Sequence, residues 1–201
     1  MTILFADIVN FTAFSNNVQP NEVFALLREV FTEFDKLCLK QKVYKLYTIG
    51  DCYVAISITE KENRNIYEEA KNVVLFAFSM LEVITAVREK NEAYQNFNMR
   101  IGIHTVFQKI KKNLNIWRFF KGYIIGGIVG TDIIRYDVYG NNAYIANKME
   151  SNGKPGSVNV SEKTRNMLMT KFDDEFIFEN NKPIFISNTG ENIESFFINK
   201  K

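Results

Sequence analysis

The sequence contains few of the residues that build disulfide frameworks or histidine-rich metal sites. Its 201 residues include two cysteines, one histidine and three prolines. Cys38 and Cys52 are too few for a disulfide framework or a zinc-ligand set, and His104 cannot supply the missing ligands. We therefore expect a reducing, cytosolic compartment.

Strong net charge and long apolar runs are also missing. The formal net charge is +2, which is too small to indicate nucleic-acid binding by itself. We find no signal peptide, and the most apolar long run, 73–87, is short and interrupted by Glu82. The chain itself is predicted to be soluble, whereas a longer parent protein could carry membrane spans.

What the chain does have is apolar material for a core. Hydrophobic residues make up 46% of the sequence, and 18 of them are phenylalanine. This composition is typical of a globular protein rather than a disordered one. At this length, residues 1–201 are predicted to form a single domain.

The order of periodic segments predicts the fold class. An apolar strand at 3–5 precedes a helix that begins near Pro20, a hairpin over 43–58, a helix over 66–90 and a strand over 97–105. This order indicates an α/β (α+β) fold with a ferredoxin-like βαββαβ core, a mixed sheet and helices on one face. A C-terminal extension of strands and helices follows, with strands at 123–129, 135–139 and 157–160, helices at 141–152 and 161–169, and closing strands at 172–178, 183–186 and 195–198.

Two acids end apolar strand-like runs near the start of the chain. Asp7 follows the first strand, and Asp51 lies at the tip of the 43–58 hairpin. Two such acids beside a turn with free backbone N–H groups could bind a divalent metal and a phosphate. The alternative is that both are ordinary turn residues, since aspartate favours turns.

Four motifs carry a family resemblance. They are Phe5–Thr12 (FADIVNFT), Tyr47–Tyr53 (YTIGDCY), Met99–Thr105 (MRIGIHT) and Tyr136–Asn141 (YDVYGN) running into Ala146–Glu150 (ANKME). In this order they resemble the class III nucleotidyl cyclase catalytic domain of adenylyl and guanylyl cyclases, over nearly the whole chain. The similarity is greatest to the large two-domain membrane guanylyl cyclases of protozoa.

The resemblance implies a metal site and a phosphate site. Asp7, Asp51 and the backbone carbonyl of Ile8 match the ligands of two Mg²⁺ or Mn²⁺ ions. Phe11 and Thr12 match positions whose backbone N–H groups hold the triphosphate, and Arg100 matches the guanidinium that contacts it. Asp7, Asp51 and Arg100 are therefore the expected catalytic residues. Asn10 replaces the glycine that is usual in this turn, which is a mild change because asparagine tolerates unusual backbone angles.

Other positions depart from the family pattern. Tyr144 and Lys148 lie where the family has its transition-state asparagine and arginine, and tyrosine cannot replace an amide. Tyr47 and Asp137 lie at the base-reading positions and form neither the adenine pair nor the guanine pair. Since the domains of this family work as dimers, the chain is similar to a metal-bearing half that needs a complementary cyclase domain.

The implied reaction converts GTP to cGMP and pyrophosphate by two-metal catalysis at the interface with that domain, in intracellular signalling. Two alternatives stay open, namely an adenylyl cyclase that forms cAMP from ATP, and a catalytically silent module that dimerises and regulates. The resemblance also implies a position at the cytoplasmic face of a membrane within a larger protein. A nucleic-acid partner is not expected.

Residues 106–121 interrupt the family pattern with a basic, aromatic insertion. The segment has five lysines or arginines and no acid. It could lie on an anionic membrane surface or bind a partner. The alternatives are a poorly ordered surface insertion or an error in the gene prediction. Elsewhere, we expect His104 to be a packed strand residue and Cys52 to point away from Asp51 into the core.

Overall fold

The computed structural model describes residues 1–57, 65–90, 94–106, 125–129 and 135–201, with the backbone alone for 125–129 and 135–139. The helices are α1 Phe11–Asn16, α2 Pro20–Lys40, α3 Ile66–Lys90, α4 Asn141–Ser151 and α5 Glu162–Met169. The strands are β1 Thr2–Ile8, β2 Val43–Ile49, β3 Cys52–Ser57, β4 Met99–Thr105, β5 Ile125–Val129, β6 Arg135–Tyr139, β7 Ser157–Ser161, β8 Phe176–Asn180, β9 Ile184–Ile186, β10 Glu191–Ile193 and β11 Ser195–Lys200.

Seven strands form a mixed sheet in the order β2-β3-β1-β4-β7-β11-β8. The first four are antiparallel neighbours, and β4 pairs with β7 in parallel. The order β2-β3-β1-β4 is that of a βαββαβ ferredoxin-like unit, which confirms the predicted core. The pairs β5–β6 and β9–β10 form two further small sheets.

Alternation along β1 divides its side chains between two cores. Leu4, Ala6 and Ile8 join the large cluster beneath α2 and α3, whereas Ile3 and Phe5 face a smaller cluster that includes residues of α4. Because side chains of a strand alternate between faces, Asp7 lies on the α4 side of the sheet. That side carries the candidate site.

The large core is built by the apolar stripes of α2 and α3. The buried positions of α2, namely Val23, Leu26, Val30, Phe34 and Cys38, recur every three or four residues. Among the described residues, α3 is the one helix with the length and apolarity of a membrane span. Nine of its residues are buried in the fold, so packing in the core accounts for its apolar character.

Helix α4 packs on the other side of the sheet, directly over β4. A Cβ atom added to Gly102 of β4 would lie 1.9 Å from the backbone nitrogen of Glu150 in α4. Glycine at this position therefore lets the helix backbone approach the strand backbone. The predicted arrangement with helices on one face holds for α2 and α3 of the βαββαβ unit, while α4 belongs to the extension.

Some elements differ from expectation. Residues 11–16 form the short helix α1, which was not predicted, and β10 was not predicted either. The strand expected at 172–178 begins later, at Phe176, because 173–175 form a turn. Of the segment 106–121, only Val106 lies within the described residues, where it is buried. The predicted insertion and its membrane contact therefore stay predictions.

Candidate active site

The candidate site begins with a row of residues across three neighbouring strands. Asp7 of β1 pairs with Arg100 of β4. On the other side of β1, Ala6 pairs with Tyr53, which places Cys52 of β3 next to Asp7. Residues paired across antiparallel strands share a face of the sheet, so the three side chains lie on the α4 side.

The two predicted metal-binding acids, Asp7 and Asp51, come together at this end of the sheet. Burial raises the pKa of both carboxyl groups, and the nearby Asp7 charge raises the pKa of Asp51 further. Arg100 acts in the opposite direction and lowers the pKa of Asp7, and the Asp51 side chain has a smaller lowering effect. Because the Asp7 charge opposes ionisation of Asp51, a bound cation would favour the charged form of both acids.

These oxygens fit the predicted divalent ions. Two carboxylates and a backbone carbonyl, that of Ile8, are the hard oxygen ligands that Mg²⁺ and Mn²⁺ prefer. Within the described residues, no group of three or more His, Cys, Asp or Glu side chains could hold a metal ion. The remaining ligands would thus be water and the phosphate oxygens of a substrate, as is usual for Mg²⁺.

Arg100 lies between two acids. Its Nε donates to Oε1 of Glu150 at 2.9 Å, and its Nη2 lies 3.4 Å from Oδ2 of Asp7. The Arg100 and Asp7 side chains are 28% and 27% exposed, whereas that of Glu150 is 6% exposed. A cationic group beside the two acids that are predicted to bind metal is therefore partly open to an incoming phosphate.

Glu150 belongs to the ANKME motif at the end of α4, for which the sequence predicts no site residue other than Lys148. Burial raises its pKa to about 7 against the opposing effect of Arg100, and the charges of Asp7 and Asp51 add to the increase. Ala146 and Met149 of the same helix are also buried. An acid on the buried side of a helix indicates a charged partner nearby, because such groups are rarely buried without one. This pattern in the sequence could have identified Glu150.

The turn after β1 leads directly into α1. Asn10 adopts a left-handed conformation with φ 57° and ψ 29°, as its tolerance of unusual backbone angles allows. Phe11 and Thr12 follow as the first residues of α1, and Phe14 is the first to donate to the carbonyl of Asn10. Backbone N–H groups in a first helical turn have no acceptor within the helix, so those of Phe11 and Thr12 can bind an anion.

Tyr144 and Lys148 lie on α4 and contact a different part of the molecule. The Tyr144 hydroxyl is 3.1 Å from Oγ of Ser187, and the Lys148 ammonium lies 5.3 Å from the centre of the Tyr144 ring. Tyr144 also packs against the cluster formed by α4 and β9. Tyr47 lies in β2 and pairs with Val54 after an irregularity in the strand, and Asp137 lies in β6, described by its backbone alone.

Two further predictions have different outcomes. His104 is fully buried, and its ring nitrogens lie 2.7 Å from Oγ of Ser161 and 3.0 Å from Oδ1 of Asn142, which confirms a packed strand residue. The expectation for Cys52 was wrong, because the register places it on the α4 side beside Asp7 and outside the buried core. Burial first, and then the charges of Asp7, Glu150 and Asp51, raise its thiol pKa to about 12, so it is a weak nucleophile.

The site thus combines two carboxylates, a guanidinium and the start of a helix at one end of a mixed sheet. This arrangement defines the domain as one suited to a metal-bound phosphate ester. Comparison with known sequences is more specific: the family described as the adenylate and guanylate cyclase catalytic domain matches residues 1–112 and 119–200. The chain belongs to this family of class III cyclases, which are lyases.

The known proteins that are similar in sequence to this chain support the same family assignment. The chain is 40% identical to guanylate cyclase alpha of Plasmodium falciparum over 182 residues, and 37% identical to a guanylate cyclase of Toxoplasma gondii over 197 residues. These matches cover 89% and 92% of the chain. The chain spans only 4% of the length of either relative.

Solved structures share the fold. The guanylate cyclase domain of RhGC from Catenaria anguillulae, solved with GTP, has a TM-score of 0.75 at 23% identity, with 100% of this chain and 96% of that chain covered. The adenylyl cyclase CyaB from P. aeruginosa has a TM-score of 0.80 at 19% identity, with 100% and 93% covered. Both guanylyl and adenylyl cyclases therefore adopt this architecture.

Proposed function

We propose that this chain is the metal-bearing half of a guanylyl cyclase, which converts GTP to cGMP and pyrophosphate when paired with a complementary cyclase domain. One observation carries the proposal, namely that β1, β3 and β4 bring Asp7, Asp51 and Arg100 to one end of the sheet. The three residues are 44 and 49 positions apart in sequence and meet only through strand pairing.

Each residue has a role in this proposal. Asp7, Asp51 and the carbonyl of Ile8 would hold two Mg²⁺ or Mn²⁺ ions. When bound, these ions would lower the pKa of the ribose 3′-hydroxyl and neutralise charge on the triphosphate. Arg100 and the N–H groups of Phe11 and Thr12 bind phosphate oxygens and stabilise the charge that develops on them.

The reaction is an intramolecular substitution at the α-phosphorus. A bond forms between the ribose 3′-oxygen and the α-phosphorus. The bond between the α-phosphorus and the oxygen that bridges it to the β-phosphorus breaks. Pyrophosphate leaves, and the hydroxyl proton passes to water. No buried histidine is needed for this chemistry, which agrees with the position of His104 within the fold.

Two residues of α4 support the proposal that this chain carries only the metal-bearing half of the site. Tyr144 and Lys148 occupy the positions at which the family has its transition-state asparagine and arginine. Tyr144 contacts Ser187, and the Lys148 ammonium lies over the Tyr144 ring. Tyrosine offers no amide and lysine no bidentate fork. The groups that hold the ribose and read the base would come from the complementary domain.

The choice of GTP rests on the relatives, since the P. falciparum and T. gondii proteins are both named guanylate cyclases. ATP is the second candidate because CyaB, an adenylyl cyclase, has the same fold. Receptor-type guanylate cyclases among the relatives support a position at the cytoplasmic face of a membrane within a longer protein.

Reconstitution tests the proposal. The chain alone should form almost no cyclic nucleotide, whereas the chain mixed with a complementary cyclase domain and Mn²⁺ should convert GTP in preference to ATP. Asp7→Ala and Asp51→Ala should each reduce the rate of the mixture by about 100-fold or more, because each removes a metal ligand. Product formation is measured by chromatography.

Asp174→Ala provides the control, since Asp174 is an exposed acid on a loop far along the chain from the site. It should leave the rate unchanged, and all three variants should unfold cooperatively. Full activity of Asp7→Ala or Asp51→Ala would contradict the metal roles. A mixture that forms no product from either nucleotide, while this chain alters the activity of its partner, would favour the silent regulatory module.

A further inference from the structure

The Arg100 guanidinium has one strong contact and one weak contact. The bond from Nε to Glu150 is 2.9 Å long, which is a normal length for a charge-assisted hydrogen bond. The distance from Nη2 to Asp7 is 3.4 Å, beyond that range. Glu150 therefore anchors the Nε side of the guanidinium, and the two terminal amino groups keep donors for another anion.

Glu150 is well placed to act as a fixed anchor. Its side chain is 6% exposed, and its backbone lies against Gly102 so closely that a Cβ atom on that glycine would lie 1.9 Å from the Glu150 nitrogen. Gly102 is two residues from Arg100 on β4, so both lie on the same side of the strand. The partner of Arg100 is thus held by backbone packing rather than by a flexible surface loop.

We propose that Glu150 is a positioning residue, which holds Nε of Arg100 so that the terminal amino groups face the phosphate groups bound beside Asp7. This inference rests on the proposed function, since it assigns a partner to the arginine of that site. Glu150 itself touches neither substrate nor metal in this role. Without it, the long arginine side chain would have to be ordered during each binding event.

The competing explanation is structural. Glu150 could serve only to dock α4 on β4, in which case its loss would weaken the site through a displaced helix. The two explanations differ in whether the effect depends on Arg100. A double-mutant cycle between the two residues separates them, because a residue that acts through Arg100 has nothing left to do once Arg100 is removed.

The cycle uses Glu150→Ala, Arg100→Ala and the double variant, each in the full chain. Glu150→Gln is the conservative variant, because its carbonyl oxygen can still accept from Nε. Glu82→Ala is the matched control on an exposed position of α3. Two quantities are measured, namely the Kd of inorganic tripolyphosphate with Mn²⁺ by calorimetry, and kcat/KM of the chain reconstituted with a complementary domain.

In the presence of Arg100, Glu150→Ala should weaken tripolyphosphate binding by about 10-fold and lower kcat/KM by 10- to 100-fold, on the order expected for a misplaced catalytic group. In the Arg100→Ala background the same change should alter either quantity by less than about 2-fold. Glu150→Gln should recover most of the loss, and Glu82→Ala should have no effect.

Equal effects of Glu150→Ala in both backgrounds would overturn the inference and assign Glu150 to helix docking. Failure of Glu150→Gln to recover binding would overturn it as well. A chain that shows the predicted coupling in tripolyphosphate binding, but whose reconstituted mixture forms no cyclic nucleotide, would refute the proposed function and leave this inference standing. A chain that does not bind tripolyphosphate would refute both.

Discussion

At the scale of single residues, the α4 side of the sheet carries buried polar groups that have partners within the fold. His104 contacts Ser161 and Asn142, and Asn159 donates to the carbonyl of Met149. Buried polar groups cost free energy unless they are hydrogen-bonded, so these contacts fix which residues can face each other. The same side of the sheet ends at Asp7 and Arg100, so the polar layer continues into the candidate site.

His104 should make the stability of the fold depend on pH. Burial lowers its pKa to about 4 from the ordinary 6.5, against a smaller opposing effect of Asn142. A lowered pKa means that the fold favours the neutral ring. This stability is present in full above pH 6.5 and is lost as the pH falls towards 4. At pH 5 the loss should be about 2 kcal/mol, measured by urea unfolding at pH 7.5 and 5.0.

The His104→Gln variant isolates this effect. Asp7, Asp51 and Glu150 have raised pKa values, so their contributions change in the opposite direction as the pH falls, but they are common to both proteins. The variant should be less stable at pH 7.5 and should lose about 2 kcal/mol less than the wild type on going to pH 5.0. An equal loss in both proteins would show that His104 does not titrate in this range.

At the scale of elements, two side-chain contacts join α4 to β4, and their spacing along the helix matches their spacing along the strand. His104 and Arg100 are four residues apart on the strand, about 13 Å, and their partners Asn142 and Glu150 are eight residues apart on the helix, about 12 Å. Gly102 lies between the two contacts. The helix is therefore aligned along the strand, and this alignment delivers Glu150 to Arg100.

Gly102→Ala should disrupt this alignment. The new methyl group would lie 1.9 Å from the Glu150 nitrogen and 2.6 Å from its Cα, and backbone atoms cannot rotate away as a side chain can. We expect a loss of about 3 kcal/mol or more in the free energy of unfolding, at the upper end of overpacking effects. Denaturant unfolding followed by circular dichroism measures it.

Gly190→Ala is the control for this substitution. Gly190 has a φ of 71° but no heavy atom within 4 Å of an added Cβ, so alanine there meets backbone strain without a steric clash. Its cost should be about 1 to 2 kcal/mol. If Gly102→Ala were as mild as Gly190→Ala, α4 would be free to move away from the sheet, and the close approach would not be a constraint.

At the scale of the whole molecule, the proposed function assigns one half of a catalytic site to this chain. In this proposal Asp7, Asp51, Arg100 and the first turn of α1 form the metal-bearing half. Tyr144 and Lys148 on α4 lie where the family resemblance places the groups of the other half. Two copies of this chain would thus duplicate the metal-bearing half. A complementary domain is the simplest source of the missing groups.

Restoring those groups should therefore give the chain some activity of its own. The double substitution Tyr144→Asn and Lys148→Arg supplies the amide and the guanidinium that the family pattern has at these positions. With Mn²⁺ and GTP, the double variant should exceed the wild-type chain by about 10-fold or more, because oriented donors contribute at least this much. Its activity per mole should rise with protein concentration, as expected for a pair of chains.

Adding Asp7→Ala to the double variant should abolish the gained activity, because the metal site would then be missing from both chains. A wild-type chain that is as active alone as in the reconstituted mixture would contradict the need for a complementary domain. So would a double variant whose activity per mole is independent of concentration.

The sequence by itself determined the core βαββαβ order, the positions of α2 and α3, and the residues of the candidate site that carry a motif. Apolar periodicity sets these elements, because each must bury one face, and the family resemblance predicts Asp7, Asp51 and Arg100 as site residues without coordinates. Apolar periodicity is a weak signal in a short segment, because few residues repeat within it. The short elements α1 and β10 were therefore not predicted.

Only the tertiary structure decided which residues face the site. The strand register placed Cys52 beside Asp7 instead of in the core, and the packing of α4 on Gly102 brought Glu150 to Arg100 across 50 positions of sequence. Neither result can be read from a local pattern, since each depends on how two distant elements pair. Local sequence therefore specified the acids and the arginine, and long-range backbone packing specified the partner that holds the arginine in place.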